Sequence, residues 1–387
     1  MAMIEKIGPV WAEINLDKLE HNIKEVKKIV NNDTLICAVV KADGYGHGAP
    51  EIASTLLANG VDRLAVATVA EAIRLRKGGY RGLVMVLGYT DEAWGEEILS
   101  YDIIQTVHSY RQAEYFSKLA LSRGKEMTIH IKIDTGMSRL GLQVNHETIE
   151  EIERIYELPN INIEGIYSHL AVADEEDKAY THEQFDKFMY IVNALEKDGY
   201  KIPIKHMSNS AAIIDLPEMN LDMVRAGIIL YGLYPSIHVN KDIINLKPVM
   251  ELKSRVSHVK VLPARRGVSY GLHYKTDRER KIVTLPVGYA DGFTCMLTGK
   301  AEVILKGKKI PIVGRICMDQ CMADATGLDV ELGDEVILYS SKADSGNTID
   351  DVAAKLGTIN YEIICMVGKR VPRVYIRNDK FVHIKDY

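Results

Sequence analysis

Eight short apolar runs, nearly every pair separated by a segment of helical period, fill about the first 235 residues of this 387-residue chain. They read LICAVVK, RLAVATV, GLVMVLG, IIQTVH, MTIHIKI, IEGIYSHL, IPIKHMS and LDMVRAG. Strands this uniformly apolar must bury both faces, and a helix between consecutive strands makes them parallel. Eight such βα units close into a barrel, whereas a doubly wound open sheet usually holds fewer strands. LDKLEHNIKEVKKIV shows the helical half of the pattern: Leu19, Ile23, Val26 and Val30 share one stripe, and Asp17 and Glu20 stand at capping-box spacing.

Beyond Pro248 the period drops to two, in ELKSRVSHVKVL, RKIVTLPVG, AEVILKGKKIPIVG and DEVILYS, with Gly and Pro as punctuation. An α/β fold is therefore expected: an eight-stranded (β/α)8 TIM-type barrel over 1–246, followed by a C-terminal all-β domain over 247–387. The first residues are expected to pair with the β-domain. One helix should interrupt that domain, TIDDVAAKLG, capped by Thr348 and stopped by Gly357.

Composition narrows the partners. A net charge of −5 with both signs interspersed offers no basic face to phosphate backbones, so no nucleic-acid partner is expected. The longest apolar runs fall well short of the roughly 20 residues a membrane span needs. The opening MAMIEKIGPVWAEINLD lacks the apolar core of a signal peptide, so a cytoplasmic location is expected. Five cysteines without CxxC pairing argue against a disulfide framework or a zinc cluster, and no metal is expected.

In barrels of this kind the chemistry sits at the carboxyl ends of the strands. Lys41 ends the first run and Lys132 lies near the end of the fifth, followed by the loop DTGMSRLG; His169 ends the sixth, Asn209 and Ser210 the seventh, and Arg225 with Gly227 the eighth. A lone strand-end lysine is ordinarily a snorkelling surface residue; convergence with the others on one mouth favours function. A partly buried amine has a depressed pKa and can attack a carbonyl, so Lys41 suits an aldehyde cofactor. Loops after the last two strands often bind phosphate through backbone N–H groups, and SNSAA and RAGI supply a hydroxyl and a glycine there. Together these features suggest pyridoxal 5'-phosphate.

The motifs AVVKADGYGHG, HIKIDTGMSRLG, YSHLAVAD, SNSAA, VRAGIILYGLYP, VSYG, VGYADGF, GRICMDQ and TINYE resemble, in order, those of the bacterial alanine racemases. The resemblance runs along nearly the whole chain. It implies a PLP-dependent racemase that interconverts L- and D-alanine by a two-base mechanism and supplies D-alanine for peptidoglycan. It also implies a homodimer whose β-domains complete each other's active sites. In family terms Lys41 carries the cofactor; Tyr45, Ser210, Gly227, Ile228 and Tyr361 bind its phosphate, and Asn209 and His169 add to its contacts. Arg225 faces the pyridine nitrogen, Arg139 meets the phenolic oxygen and the substrate carboxylate, and His169 supports the catalytic tyrosine. Tyr270 and Met318 come from the other subunit, Met318 through its backbone N–H. Lys132 is expected to be carbamylated, the alternative being a pairing with Asp134.

A tyrosine near its ordinary pKa of about 10 is a poor base at neutral pH, and His169 and Arg225 are the candidates for the positive charge that favours its phenolate. Two departures from the family pattern stand out: Ser138 occupies a usual glycine position, and ADGFTCML lacks the common Tyr and following Arg. Rival readings are a serine-preferring racemase, a barrel-type PLP decarboxylase, a non-catalytic PLP-binding protein, and a metal hydrolase built on His130, Lys132 and His169. Arg225 and VSYG oppose the decarboxylase; the entire β-domain opposes the carrier; the missing HxH pair opposes the hydrolase.

Overall fold

The computed structural model describes residues 7–386. The described chain divides into two compact units, one of residues 19–44 and 49–246, the other of 7–18, 45–48 and 247–386. Residues 45–48 thus leave the expected barrel segment and belong with the β-rich unit.

The first unit is the barrel. Its eight parallel strands are Leu35–Val39, Arg63–Val66, Leu83–Val86, Ile104–Val107, Met127–Lys132, Ile161–Tyr167, Ile204–His206 and Met223–Ala226, each beside its neighbour in sequence, with the last pairing back onto the first. Between the seventh and eighth strands the ring closes through Asp222 N–H to Lys205 O (3.1 Å) and Arg225 N–H to Ser208 O (3.0 Å). The helix Leu16–Ile29 buries Leu19, Ile23 and Val26 as its stripe requires. Its cap differs from the one expected: Asn15 Oδ1 accepts the Lys18 N–H at 2.9 Å, while Asp17 Oδ2 receives Asn378 N–H. Asn15 stands three residues ahead of the Lys18 donor, at the spacing of an N-cap, and that fixes the start.

Barrel interiors are usually filled by branched apolar side chains. Here Gln105, Thr106, His130, Lys132, His206, Ser208 and Arg225 are all buried. So much buried polarity persists only if the groups satisfy one another.

The second unit is built on a ten-stranded sheet. Val10–Asn15 lies inside it, antiparallel to Met250–Arg255 and parallel to Arg373–Arg377. The helix Ile349–Leu356 has the expected ends: Thr348 and Asp351 form a capping box, and Gly357 closes it at φ 72°. A second helix, Asn360–Met366, was not expected; it is seven residues long and lacks a side-chain cap, so its sequence carries little helical signal. Arg373, 1 % exposed, donates to the carbonyls of Gly46, Val367, Gly368 and Val371, and Tyr375 Oη donates to His47 O at 2.9 Å. These bonds hold residues 45–48 in the unit. Among the described residues no helix is long and apolar enough to cross a membrane.

Candidate active site

After the first barrel strand the chain makes a left-handed turn. Ala42, Asp43, Gly44 and Tyr45 have φ of 51°, 54°, 65° and 52°. Non-glycine residues adopt this region at a cost of roughly 1–2 kcal/mol each, so the surroundings must hold it. Glu71 does so from the first turn of the next helix, Val69–Lys77: its Oε1 accepts Ala42 N–H at 2.7 Å and its Oε2 accepts Ala67 N–H at 2.8 Å. Asp43 Oδ1 accepts Ala49 N–H. The turn carries Lys41 past the strand end into an exposed position, which corrects the expectation of a partly buried amine.

Arg225 is the centre of the mouth. Fully enclosed, it donates from Nη1 to His206 Nδ1 (2.8 Å) and from Nη2 to Ser168 O (2.8 Å), Met207 O (2.9 Å) and His169 Nδ1 (3.1 Å). Its Nε–H finds no acceptor among the described residues. His169 Nδ1 must accept, and burial together with the positive charge of Arg225 holds the imidazole well below its ordinary range. His169 is therefore neutral and cannot supply the positive charge assigned to it from sequence; Arg225 remains.

Lys132 is buried against Tyr167, its Nζ 5.2 Å from the ring centroid and 2.7 Å from Ile133 O. Burial first, then Arg225 and Arg139, pull its pKa down to about 7, against the opposing pull of Asp134. Asp134 is engaged elsewhere: its Oδ1 accepts the N–H groups of Gly136 and Ser138, both at 3.0 Å. Ser138 has φ 58°, which explains a usual glycine there, and it leads directly into the exposed Arg139.

On the far side of the mouth Asn209 caps the helix Ser210–Asp215 by accepting Ala211 and Ala212 N–H at Oδ1, and Ser210 Oγ accepts Gly227 N–H at 3.0 Å. Gly227 precedes the short helical turn Ile228–Tyr231. Lys41, Lys132, Arg139, His169 and Arg225 form one electrostatic cluster, since Arg225, Lys132, Arg139 and Lys41 all bear on His169.

The remaining predicted residues lie in the β-rich unit. Tyr45 and Tyr361 have ring centroids 6.2 Å apart. Tyr270, 72 % exposed, and Met318, 53 % exposed, border a cleft of about 810 Å³ with Tyr289, Arg315, Cys317 and Asp319. Met318 N–H has no acceptor among the described residues, while Met318 O receives Ala290 N–H. Sequence reasoning missed Glu71, Tyr167 and His206. Tyr167 stacks on His206 at 4.7 Å and 8°; alternation in IEGIYSHL and IPIKHMS points both side chains inward, which was the available signal.

Residues 14–235 match the family described as alanine racemase, N-terminal domain, and residues 249–375 that described as alanine racemase, C-terminal domain. The chain is 51 % identical over 387 residues to an alanine racemase of Clostridium tetani, covering all of both proteins. It is 50 % identical over 369 residues to one from Methanococcus maripaludis, covering 95 % of this chain and 99 % of that protein. Among solved structures, alanine racemase of Clostridium difficile 630 matches with a TM-score of 0.95 at 45 % identity over 98 % of each chain. The alanine racemase of Bacillus anthracis with bound L-Ala-P matches with a TM-score of 0.93 at 35 % identity, again over 98 % of each chain.

Proposed function

Because this chain belongs to the alanine racemase family, we propose that it is a racemase interconverting L- and D-alanine, with pyridoxal 5'-phosphate held by Lys41. The observation that carries this reading is Arg225: an enclosed guanidinium with both terminal nitrogens bonded to the barrel wall and its Nε–H without an acceptor among the described residues. A donor that cannot be deprotonated fits an unprotonated ring nitrogen, and so the residues present fit the cofactor. When bound, the cofactor draws electrons from the substrate's α-carbon and makes its proton removable.

The chain's own residues do the rest. Inversion requires one group to take a proton from one face and another to return one on the opposite face. Lys41 serves one face and Tyr270 of the partner subunit the other, in a homodimer with shared sites. The exposure of Tyr270 and Met318 favours this arrangement, since both stand ready to be covered. The substrate carboxylate is held by Arg139 and by the N–H of Met318 from the same partner loop. Ser210, Gly227 and Ile228 hold the phosphate on the barrel, and Asn209 caps the helix that Ser210 begins. A carbamylated Lys132 would replace a cation beside Arg139 and Arg225 with an anion that pairs with Arg139. The D-alanine produced would serve peptidoglycan synthesis.

A family racemase acting on serine is the second reading, because one added hydroxyl changes selectivity by only roughly 1–3 kcal/mol in a small pocket. Circular dichroism over a panel of L-amino acids tests both. Alanine is expected to give the highest kcat/KM; a higher value for serine would transfer the assignment, and a colourless protein inert with added cofactor would end it.

A further inference from the structure

Behind Arg225 an unbroken run of hydrogen bonds crosses the barrel interior. Arg225 Nη1 lies 2.8 Å from His206 Nδ1, His206 Nε2 lies 2.9 Å from His130 Nδ1, and His130 Nε2 lies 2.8 Å from Glu164 Oε2. The same Oε2 accepts Arg63 Nη1 at 2.6 Å. A guanidinium has only donors and an ionised carboxylate only acceptors, so the direction at both ends is fixed. His206 Nδ1 must accept. A neutral ring has one N–H, so His206 donates from Nε2 to His130 Nδ1, and His130 donates from Nε2 to Glu164. All three bonds point from the cation to the anion, and each ring has a single permitted tautomer.

The charge states agree. His130 and His206 are completely buried, and burial lowers the pKa of both imidazoles, that of His206 far below the ordinary value. Burial pushes the Glu164 carboxyl up, but the hydrogen bonds from His130 and Arg63 outweigh it and hold the pKa at about 2.

The backbone is shaped for this contact. In the pairing of the fifth and sixth barrel strands Ile129 faces Ile163 and His130 faces Gly165, which leaves Glu164 as the extra residue of a bulge. Bulges re-aim a side chain relative to the regular alternation. Gly165 clears the space: a Cβ there would sit 2.6 Å from His130 Cε1 and 2.7 Å from His130 Nδ1. Tyr167, two residues on, stacks against His206.

We propose that Glu164, anchored by Arg63, is a positioning residue for the reaction: through the hydrogen-bonded rings of His130 and His206 it sets the orientation in which Arg225 presents its Nε–H to the barrel mouth. The inference rests on the proposed function only in taking Arg225 to face the cofactor. An ordinary buried ion pair between Arg63 and Glu164 would account for stability alone, and the test separates the two.

Nitrogen-15 NMR of histidine-labelled holoenzyme reads the tautomers directly and needs no turnover, so its outcome is independent of whether alanine is the substrate. The wild type is expected to show His130 and His206 both neutral and protonated at Nε2; a proton on Nδ1 of either ring overturns the proposal. Glu164→Leu removes the terminal acceptor of His130 Nε2–H while Arg225 still fixes both tautomers, so the His130 Nε2 resonance should shift as its hydrogen bond is lost, with abortive transamination per racemisation event raised about threefold or more. Glu164→Gln keeps an acceptor oxygen for His130 and Arg63 and should retain both tautomers and the wild-type partition. An unchanged His130 Nε2 resonance and partition in Glu164→Leu alongside a lowered Tm would leave only the ion-pair role. Equal defects in the Gln and Leu variants would also overturn the proposal, by assigning the effect to charge. Should Glu164→Leu not fold, the wild-type tautomers and Glu164→Gln still decide the matter.

Discussion

His169 Nδ1 accepts a hydrogen bond from Arg225 Nη2 across 3.1 Å, and that single contact assigns the charges at the mouth. A ring nitrogen that accepts from a guanidinium cannot hold a proton, so His169 is neutral and Arg225 is the permanent cation beside it. On the proposed reading Arg225 would face the ring nitrogen and the cofactor would withdraw electrons only moderately, favouring quick return of the proton over side reactions. Arg225→Glu is therefore expected to slow racemisation on the order of a hundredfold and to raise transamination relative to it. Product analysis for pyruvate against D-alanine checks this; an unchanged ratio would remove the explanation.

Tyr270 and Lys41 are assigned to opposite faces, so losing one should not affect both directions equally. Tyr270→Phe is expected to slow α-proton exchange from one alanine enantiomer by about 10²–10⁴-fold while sparing exchange from the other far more. Deuterium exchange followed separately for L- and D-alanine provides the measurement. Small, equal losses would contradict a two-base site.

Lys132 should give the protein a pH-dependent stability. Its folded pKa of about 7 lies below the ordinary 10.5, so between those values the unfolded chain binds a proton that the folded chain does not. Stability then rises with pH across that window and is lost again as pH falls toward 7. Lys132→Met should flatten the slope of Tm against pH from 7 to 10. Carbamylation of the neutral amine by bicarbonate gives carbamate and water with no net proton, so bicarbonate should raise the wild-type Tm across that window and carry the slope on below pH 7; a Tm indifferent to bicarbonate would favour an unmodified lysine.

Much of this was legible in the chain because burial on both faces leaves few alternatives: eight apolar runs with helices between them allow little but a barrel, and strand ends then name Lys41, Lys132, His169 and Arg225. What escaped depends on contacts between residues far apart in sequence. Nothing in KADGY announces a left-handed turn, since Ala42 and Asp43 adopt positive φ only because Glu71, 29 residues on from Ala42, receives the Ala42 amide. The neutrality of His169 likewise follows from Arg225, 56 residues away. Glu164 did leave a trace, as the one charge inside the run INIEGIY, but only the bulge opposite His130 gives that charge a direction.

Gly46 tests the seat of the loop that follows Lys41. With φ 80° and a would-be Cβ 2.5 Å from Ile364 O, it has neither the backbone conformation nor the space for a side chain. Gly46→Ala is expected to cost about 2 kcal/mol or more, whereas Tyr375→Phe, which removes one hydrogen bond to His47 O, should cost about 1 kcal/mol. Denaturant unfolding at fixed cofactor concentration compares them.

Both sheet neighbours of the strand Val10–Asn15, Met250–Arg255 and Arg373–Arg377, are synthesised more than two hundred residues after it. It must wait with its edges unpaired while the barrel strands emerge, and the second sheet can be sealed only after Arg373–Arg377 has been made. That late closure makes the nascent chain, rather than the finished enzyme, the stage most exposed to mispairing and in greatest need of chaperone protection.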